Sequence, residues 1–216
     1  MKKRFVFLAA ALAAMLLTGC ALRTVEEMYA LPKRSEEFRE LQAAIDTAMY
    51  GMTYSSPQSG ENQQTVQTAD LNGDGLDEYL VFAKGATEKP LQVLIFQQDE
   101  TGKCRVLDTI GFNGQAFDQV EYMAFDDQPG LELVVGIQVS ERVLRNVAVY
   151  SFHGGSAELL LLNSYSKMLP CQLSGDKSEL MVLRPGEEET QRGMAVLYGY
   201  DKGQIVRSVE TELSEH

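Results

Sequence analysis

The chain has 216 residues, 44% of them hydrophobic, with 19 Lys and Arg against 31 Asp and Glu and a net charge of −12. That acid excess argues against a nucleic-acid binder, which needs clustered Lys and Arg, and keeps the body of the protein off an anionic membrane surface. It suits divalent cations, and the length suits one domain with a real core.

Lys2, Lys3 and Arg4 precede an apolar stretch from Phe5 to Leu17. The stretch is shorter than the about 20 residues of a membrane span, and residues 1–19 read as a signal peptide. It closes on Leu17-Thr18-Gly19-Cys20, which resembles a bacterial lipobox. The resemblance implies lipidation of Cys20, cleavage before it, and a chain anchored on the extracytoplasmic face of the cell membrane. A single lipid binds only marginally, whereas two or three chains anchor firmly. Residues 20–34 read as the lipidated cysteine and a polar tether.

Residues 35–63 read as a helix and a loop. Ser35 can cap a helix, and Glu36 and Glu37 in the first turn complement its dipole. Phe38, Leu41, Ile45, Ala48 and Met49 recur at spacings of three and four, which predicts an amphipathic helix over 35–50. Residues 51–63, rich in Gly, Ser, Gln and Pro, predict a loop.

The most specific motif follows at Asp70-Leu71-Asn72-Gly73-Asp74-Gly75-Leu76-Asp77-Glu78, just before the apolar run Tyr79-Leu80-Val81-Phe82. Oxygen side chains alternate at Asp70, Asn72 and Asp74, a carboxylate returns at Glu78, and Gly75 eases the turn. Calcium takes six to eight oxygens at about 2.3–2.6 Å. Asp70, Asn72, Asp74, the Leu76 carbonyl and Glu78 are the predicted ligands. An EF-hand needs a bidentate Glu at its twelfth position and an outgoing helix; here that position is Val81, within a strand-like run. Asp/Asn/Gly clusters also form plain turns, but five correctly spaced positions favour metal.

Beyond this loop helical periodicity gives way to a repeat. Thr68 through Val81, Val93–Phe96 and Arg105–Leu107 form one unit. Asp126-Asp127, Gly130–Val135, Val147–Tyr150 and Glu158–Leu161 form a second. Leu173–Asp176, Glu179–Val182, Ala195–Tyr198 and Ile205–Arg207 form a third. Glu78, Glu132 and Glu179 align at separations of 54 and 47 residues. Each unit offers about four short strands with Gly- and Asp-rich turns, and neighbouring units must stack to bury their faces.

Thr68 to Phe82 resemble the FG-GAP/VCBS repeat family, the integrin-alpha-like β-propeller repeat. The strict motif covers about 15 residues, and the weaker unit pattern covers roughly 64–213 of the predicted repeat domain, 64–216. The resemblance implies a mainly β, propeller-like array of about three four-stranded units behind the short helix, with calcium held by the five residues above. Glu78 stands where most family loops have Asp. Phe125-Asp126-Asp127-Gln128-Pro129-Gly130 and Ser174-Gly175-Asp176-Lys177 have lost the alternating oxygens, so no calcium is expected there. Propellers typically have four to eight blades, so three units close with the helix as a cap, pair with a second copy, or form a shortened arc.

No catalytic constellation is evident. Ser164-Tyr165-Ser166-Lys167 and Ser174–Lys177 fit Ser-x-x-Lys without its companion motifs. His153-Gly154-Gly155 reads as a hairpin turn. Asp126-Asp127 and Glu187-Glu188-Glu189 are carboxylate candidates for a glycosidase pair, better read as a turn and a solvated loop. Tyr122, Tyr150, Tyr165, Tyr198 and Tyr200 offer either a stacking face or packing between units. Cys104 and Cys171 pair or stand alone, and the scarcity of His and the lack of CxxC give zinc no support. The expected function is a non-enzymatic surface lipoprotein whose calcium-stabilised repeats bind an envelope protein or glycan, with no nucleic-acid partner. An envelope hydrolase or lyase and a structural assembly lipoprotein stay open as alternatives.

Overall fold

The structure is a computed structural model that describes residues 36–99, 101–140, 144–171, 178–184 and 193–213. The signal peptide, Cys20, the tether, the Ser35 cap, the Ser174–Lys177 turn and Glu187–Glu189 lie outside the described residues. Among the described residues a helix, α1 (Glu36–Ala48), precedes thirteen strands, so the body is mainly β. The helix matches the amphipathic stripe, whose Leu41, Ile45 and Met49 are buried while Phe38 stays exposed.

The strands form three antiparallel sheets in chain order. The first contains β1 (Met52–Tyr54), β2 (Val66–Ala69), β3 (Glu78–Gly85), β4 (Leu91–Gln98) and β5 (Cys104–Phe112). β1 and β2 share one edge: Met52–Tyr54 pair with Ala83–Gly85, and Val66–Ala69 with Glu78–Val81. Two short segments in tandem thus act as one strand, and the sheet is a four-position meander. The second sheet is the meander β6 (Ala116–Met123), β7 (Glu132–Gln138), β8 (Arg145–Ser151) and β9 (Glu158–Tyr165). The third is β10 (Lys167–Cys171), β11 (Glu179–Arg184), β12 (Met194–Asp201) and β13 (Gln204–Glu212). Glu78, Glu132 and Glu179, aligned in the sequence, each open the second strand position of a sheet.

The sheets pack face on face, and side-chain alternation shows how. On β7, Leu133, Val135 and Ile137 join Leu80, Phe82, Val93 and Ile95 of the first sheet in one buried cluster. The intervening Val134 joins Leu180, Val182, Val196 and Tyr198 of the third sheet in another. β7 is buried on both sides from Glu132 to Ile137, which explains its unbroken apolar run. On the far face of the first sheet, Val81, Ala83, Leu94 and Phe96 are covered by Leu41, Ile45 and Met49 of α1. The helix is therefore a cap at one end of the stack.

The expected loop over 51–63 departs from its reading. It contains β1, and its later part straps the first sheet to β6. The Ser59 N–H donates to the Asp118 carbonyl (2.7 Å), and the Asn62 side chain to the Val120 carbonyl (3.0 Å). Its polar composition looked like solvated loop, whereas those polar groups serve a strand edge.

The register of β6 slips between Phe117 and Val120, and Asp118 ends up buried. Its carboxylate accepts a hydrogen bond from the Tyr165 hydroxyl and pairs with Arg145 Nε at 3.1 Å. Tyr165 reaches it only because Gly136 lacks a side chain: a Cβ there would stand 2.2 Å from the hydroxyl oxygen. Gly136→Ala is expected to cost about 1–3 kcal/mol by overpacking, read from urea denaturation. In the double variant with Tyr165→Phe, the two costs should be less than additive.

Candidate metal-binding loops

The loop between β2 and β3 is built by its own oxygens. Gly73 and Gly75 adopt φ of +77° and +84°, a left-handed region that favours glycine. The Asp70 carboxylate accepts the Gly73 and Gly75 N–H groups at 2.7 and 2.9 Å. Asn72 Oδ1 accepts the Asp74 N–H, and Asp74 Oδ1 the Leu76 N–H, each at 2.8 Å. These short side chains bond their own backbone two to five residues on, as Asx turns do.

Glu78 is fully buried at the base of the loop. Its Oε2 accepts the Leu71 N–H at 2.9 Å, and its Oε1 accepts the Asn72 side-chain amide at 2.6 Å. Burial pushes its pKa up, the Leu71 N–H bond opposes that shift, and the Asp74 and Asp70 charges add to it. Of the five predicted ligands, Asn72 and Glu78 are in contact, Asp70 lies near them, and Asp74 and Leu76 face solvent. All five donors are oxygens, the set a hard cation takes, though the Asp70, Asp74 and Glu78 carboxylates do not lie within 4.8 Å of one another.

The second sheet repeats the pin. Glu132, 1% exposed, directs its Oε2 to the Phe125 N–H at 2.9 Å, again seven residues earlier. The two loops also interlock. The Leu131 N–H donates to the Asp70 carbonyl at 2.9 Å, and Ser178 donates to the Ala124 carbonyl at 2.7 Å. In both, the donor immediately precedes the aligned Glu, and the acceptor lies eight residues before the aligned Glu of the preceding repeat. A Cβ on Gly73 would stand 2.3 Å from the Pro129 carbonyl oxygen, and one on Gly130 2.8 Å from that of Leu71. The proline-bearing segment 126–130 is thus a turn, as expected, fitted against the loop of the first sheet.

The residue that sequence reasoning missed is His153. It lies in the expected turn between β8 and β9, but its Nε2 is 3.3 Å from Asp126 Oδ2 and 3.3 Å from Glu132 Oε1. The side chains are 27%, 6% and 1% exposed for His153, Asp126 and Glu132. Among the described residues, these are the one set of three His, Cys, Asp or Glu ligand atoms lying within 4.8 Å of one another. Burial pushes Glu132 up, with Asp126 adding to the shift while the Phe125 N–H and His153 oppose it. From the third sheet, Tyr200 is pushed up by burial and then by the charge of Asp126 and a hydrogen bond to it. No local motif marks this set; the alignment of Glu132 with Glu78 was the available signal.

The remaining candidates have quieter places. Cys104 is buried and Cys171 half-buried, and both are free thiols. Tyr122 donates to Gln67 Oε1 and Tyr198 accepts from Asn163, each at 2.7 Å, so these tyrosines serve packing and internal hydrogen bonds.

No family model matches the chain, and no curated protein matches it. A solved structure described as Bacillus licheniformis rhamnogalacturonan lyase PL11 is similar to 74% of this chain and 35% of that one, with a TM-score of 0.46 and 15% identity. The chain thus spans about a third of that lyase's length.

Removing a pin leaves a buried backbone N–H without a partner, which costs about 1–3 kcal/mol. Glu132→Ala and Glu78→Ala are each expected to lose that much in urea denaturation with a chelator present. Glu132→Gln and Glu78→Gln, which keep an acceptor oxygen, should lose less.

Proposed function

We propose that the chain is a non-enzymatic lipoprotein of the bacterial envelope, anchored through Cys20, whose calcium-stabilised β-repeat body binds a partner protein. The three sheets form an open, propeller-like arc in this reading. The observation that carries it is the outer face of the third sheet. Cross-strand pairing sets Leu169, Met181, Leu197 and Val209 in one row across all four strands. Leu197 is buried and Met181 half-buried, while the two outer members of the row are open. Leu169 is 37% and Val209 55% exposed. The corresponding outer face of the first sheet lies under α1. Aliphatic side chains open on both edge strands offer a protein-binding surface, and they favour a protein over a hydroxyl-rich glycan.

Calcium supports the same module. Asp70, Asn72, Asp74, the Leu76 carbonyl and Glu78 would hold it, and its charge would offset the repulsion among three neighbouring carboxylates. Modules outside the cell bind calcium at about 10⁻⁴ to 10⁻³ M, and an ion that binds only the folded state stabilises it by mass action. Among the described residues no helix is long and apolar enough to cross a membrane; in this reading the lipid on Cys20 makes the attachment.

Calcium is expected to raise the melting midpoint of the wild type over that in chelator, and to leave Asp74→Ala unmoved. Cross-linking in intact envelopes should capture a partner that Val209→Asp loses. Equal midpoints in the two buffers would remove the calcium role, and capture unaffected by Val209→Asp would remove the binding face.

A further inference from the structure

We propose that Asp126, Glu132 and His153 form a binding site for a divalent cation of the zinc class, separate from the calcium loop and selective against calcium. The argument begins with the aligned loops. Counting back six residues from the aligned Glu gives Asn72 in the first repeat and Asp126 in the second. In the first, the Asn72 amide donates to Glu78 Oε1 at 2.6 Å, so that oxygen is satisfied within the loop. Asp126 has no N–H to offer. Two buried carboxylates therefore meet where the first repeat has a carboxylate and an amide, and a cation between them would offset their repulsion.

The Tyr200 hydroxyl hydrogen-bonds Asp126, and His153 faces both carboxylates. Among the described residues, the ion pairs of both carboxylates are with its Nε2. One ring nitrogen has one N–H, and sharing it between two oxygens makes each bond weaker than one aimed at a single acceptor. A charge-assisted N–H···O bond to either would be about 2.7–2.9 Å, yet both separations are 3.3 Å. Donors placed 2.0–2.2 Å from a shared zinc at tetrahedral corners stand about 3.3–3.6 Å apart. The distances are long for hydrogen bonds and suited to the edges of a metal tetrahedron.

The surrounding contacts orient the donors. Glu132 Oε2 is held by the Phe125 N–H at 2.9 Å and Asp126 Oδ1 by the Gln128 N–H at 2.8 Å. Each carboxylate is thereby turned so that its other oxygen faces His153, the role that outer hydrogen bonds play around metal ligands. One imidazole nitrogen and two carboxylate oxygens are too few and too mixed for calcium, which takes six to eight oxygens; imidazole suits zinc and its neighbours. Three protein donors leave a fourth position for water or a ligand atom, on the side where His153 is 27% exposed.

The test uses the full-length chain in detergent, stripped with chelator and then held in millimolar calcium so that the 70–78 loop is not the zinc acceptor. Zinc titration by calorimetry should show one site per chain. Asp126→Asn and His153→Ala should each weaken it at least about tenfold, the loss that even an outer-contact change produces. Asp126→Asn restores the Asn72 arrangement, so its melting midpoint in chelator should equal or exceed the wild type's while the zinc-dependent rise disappears. Cobalt substituted for zinc should give the visible absorption of a tetrahedral site in the wild type and in Asp74→Ala, and lose it in His153→Ala. A wild type that takes up no zinc beside calcium, or variants that bind zinc as tightly as it does, would overturn the site. If one variant fails to fold, the other decides.

Discussion

The hydrogen bond from a loop N–H to a buried glutamate seven residues on is the interaction on which the rest of this body depends. Glu78 holds Leu71 and Glu132 holds Phe125, and both partners are fully buried. Each bond closes a polar loop over the start of a strand that must enter the core. Without it the Leu71 or Phe125 amide would be buried with no acceptor, a cost set against the burial of its own side chain. A glutamate so far from water is tolerated because the backbone N–H stabilises its charge against desolvation.

The same loops set how the sheets stack. The bonds from Leu131 to Asp70 and from Ser178 to Ala124 link each repeat to the preceding one at equivalent atoms. Successive sheets therefore meet in a similar way, and their facing side chains fill two buried clusters in series. The two ends of the stack differ. Leu41, Ile45 and Met49 of α1 cover the first sheet, whereas the row from Leu169 to Val209 on the third lies outside every cluster.

Once the pin holds the backbone, the side chains around it are free to diverge. In the first repeat the divergence yields alternating oxygens and an amide that satisfies Glu78. In the second it yields Pro129, which fits against Gly73, and Asp126, which places a second carboxylate beside Glu132. The contrast is one of chemistry on a shared frame: oxygen donors alone in one loop, a nitrogen and two oxygens in the other.

The sequence by itself determined the elements whose signals are local. The three-and-four spacing of Leu41, Ile45 and Met49 marks the helix, and the apolar runs at Tyr79–Phe82, Leu133–Val135 and Ala195–Tyr198 mark strands, because burial of one face imposes a period on nearby residues. Alignment of Glu78, Glu132 and Glu179 marked the repeat, and the oxygens from Asp70 to Glu78 marked the first loop. Tertiary structure alone decided the rest. β1 and the strap at Ser59 and Asn62 carry polar residues that a strand edge uses as readily as water does. Asp118 is buried by a slip in register that its own residue type does not announce. Glu78 reads as a surface ligand until the fold puts the Leu71 amide beside it. His153 meets Asp126 and Glu132 only because the β8–β9 turn comes back over the start of β7, and a side-chain contact across 21 residues is set by the path of the backbone, which no local pattern encodes.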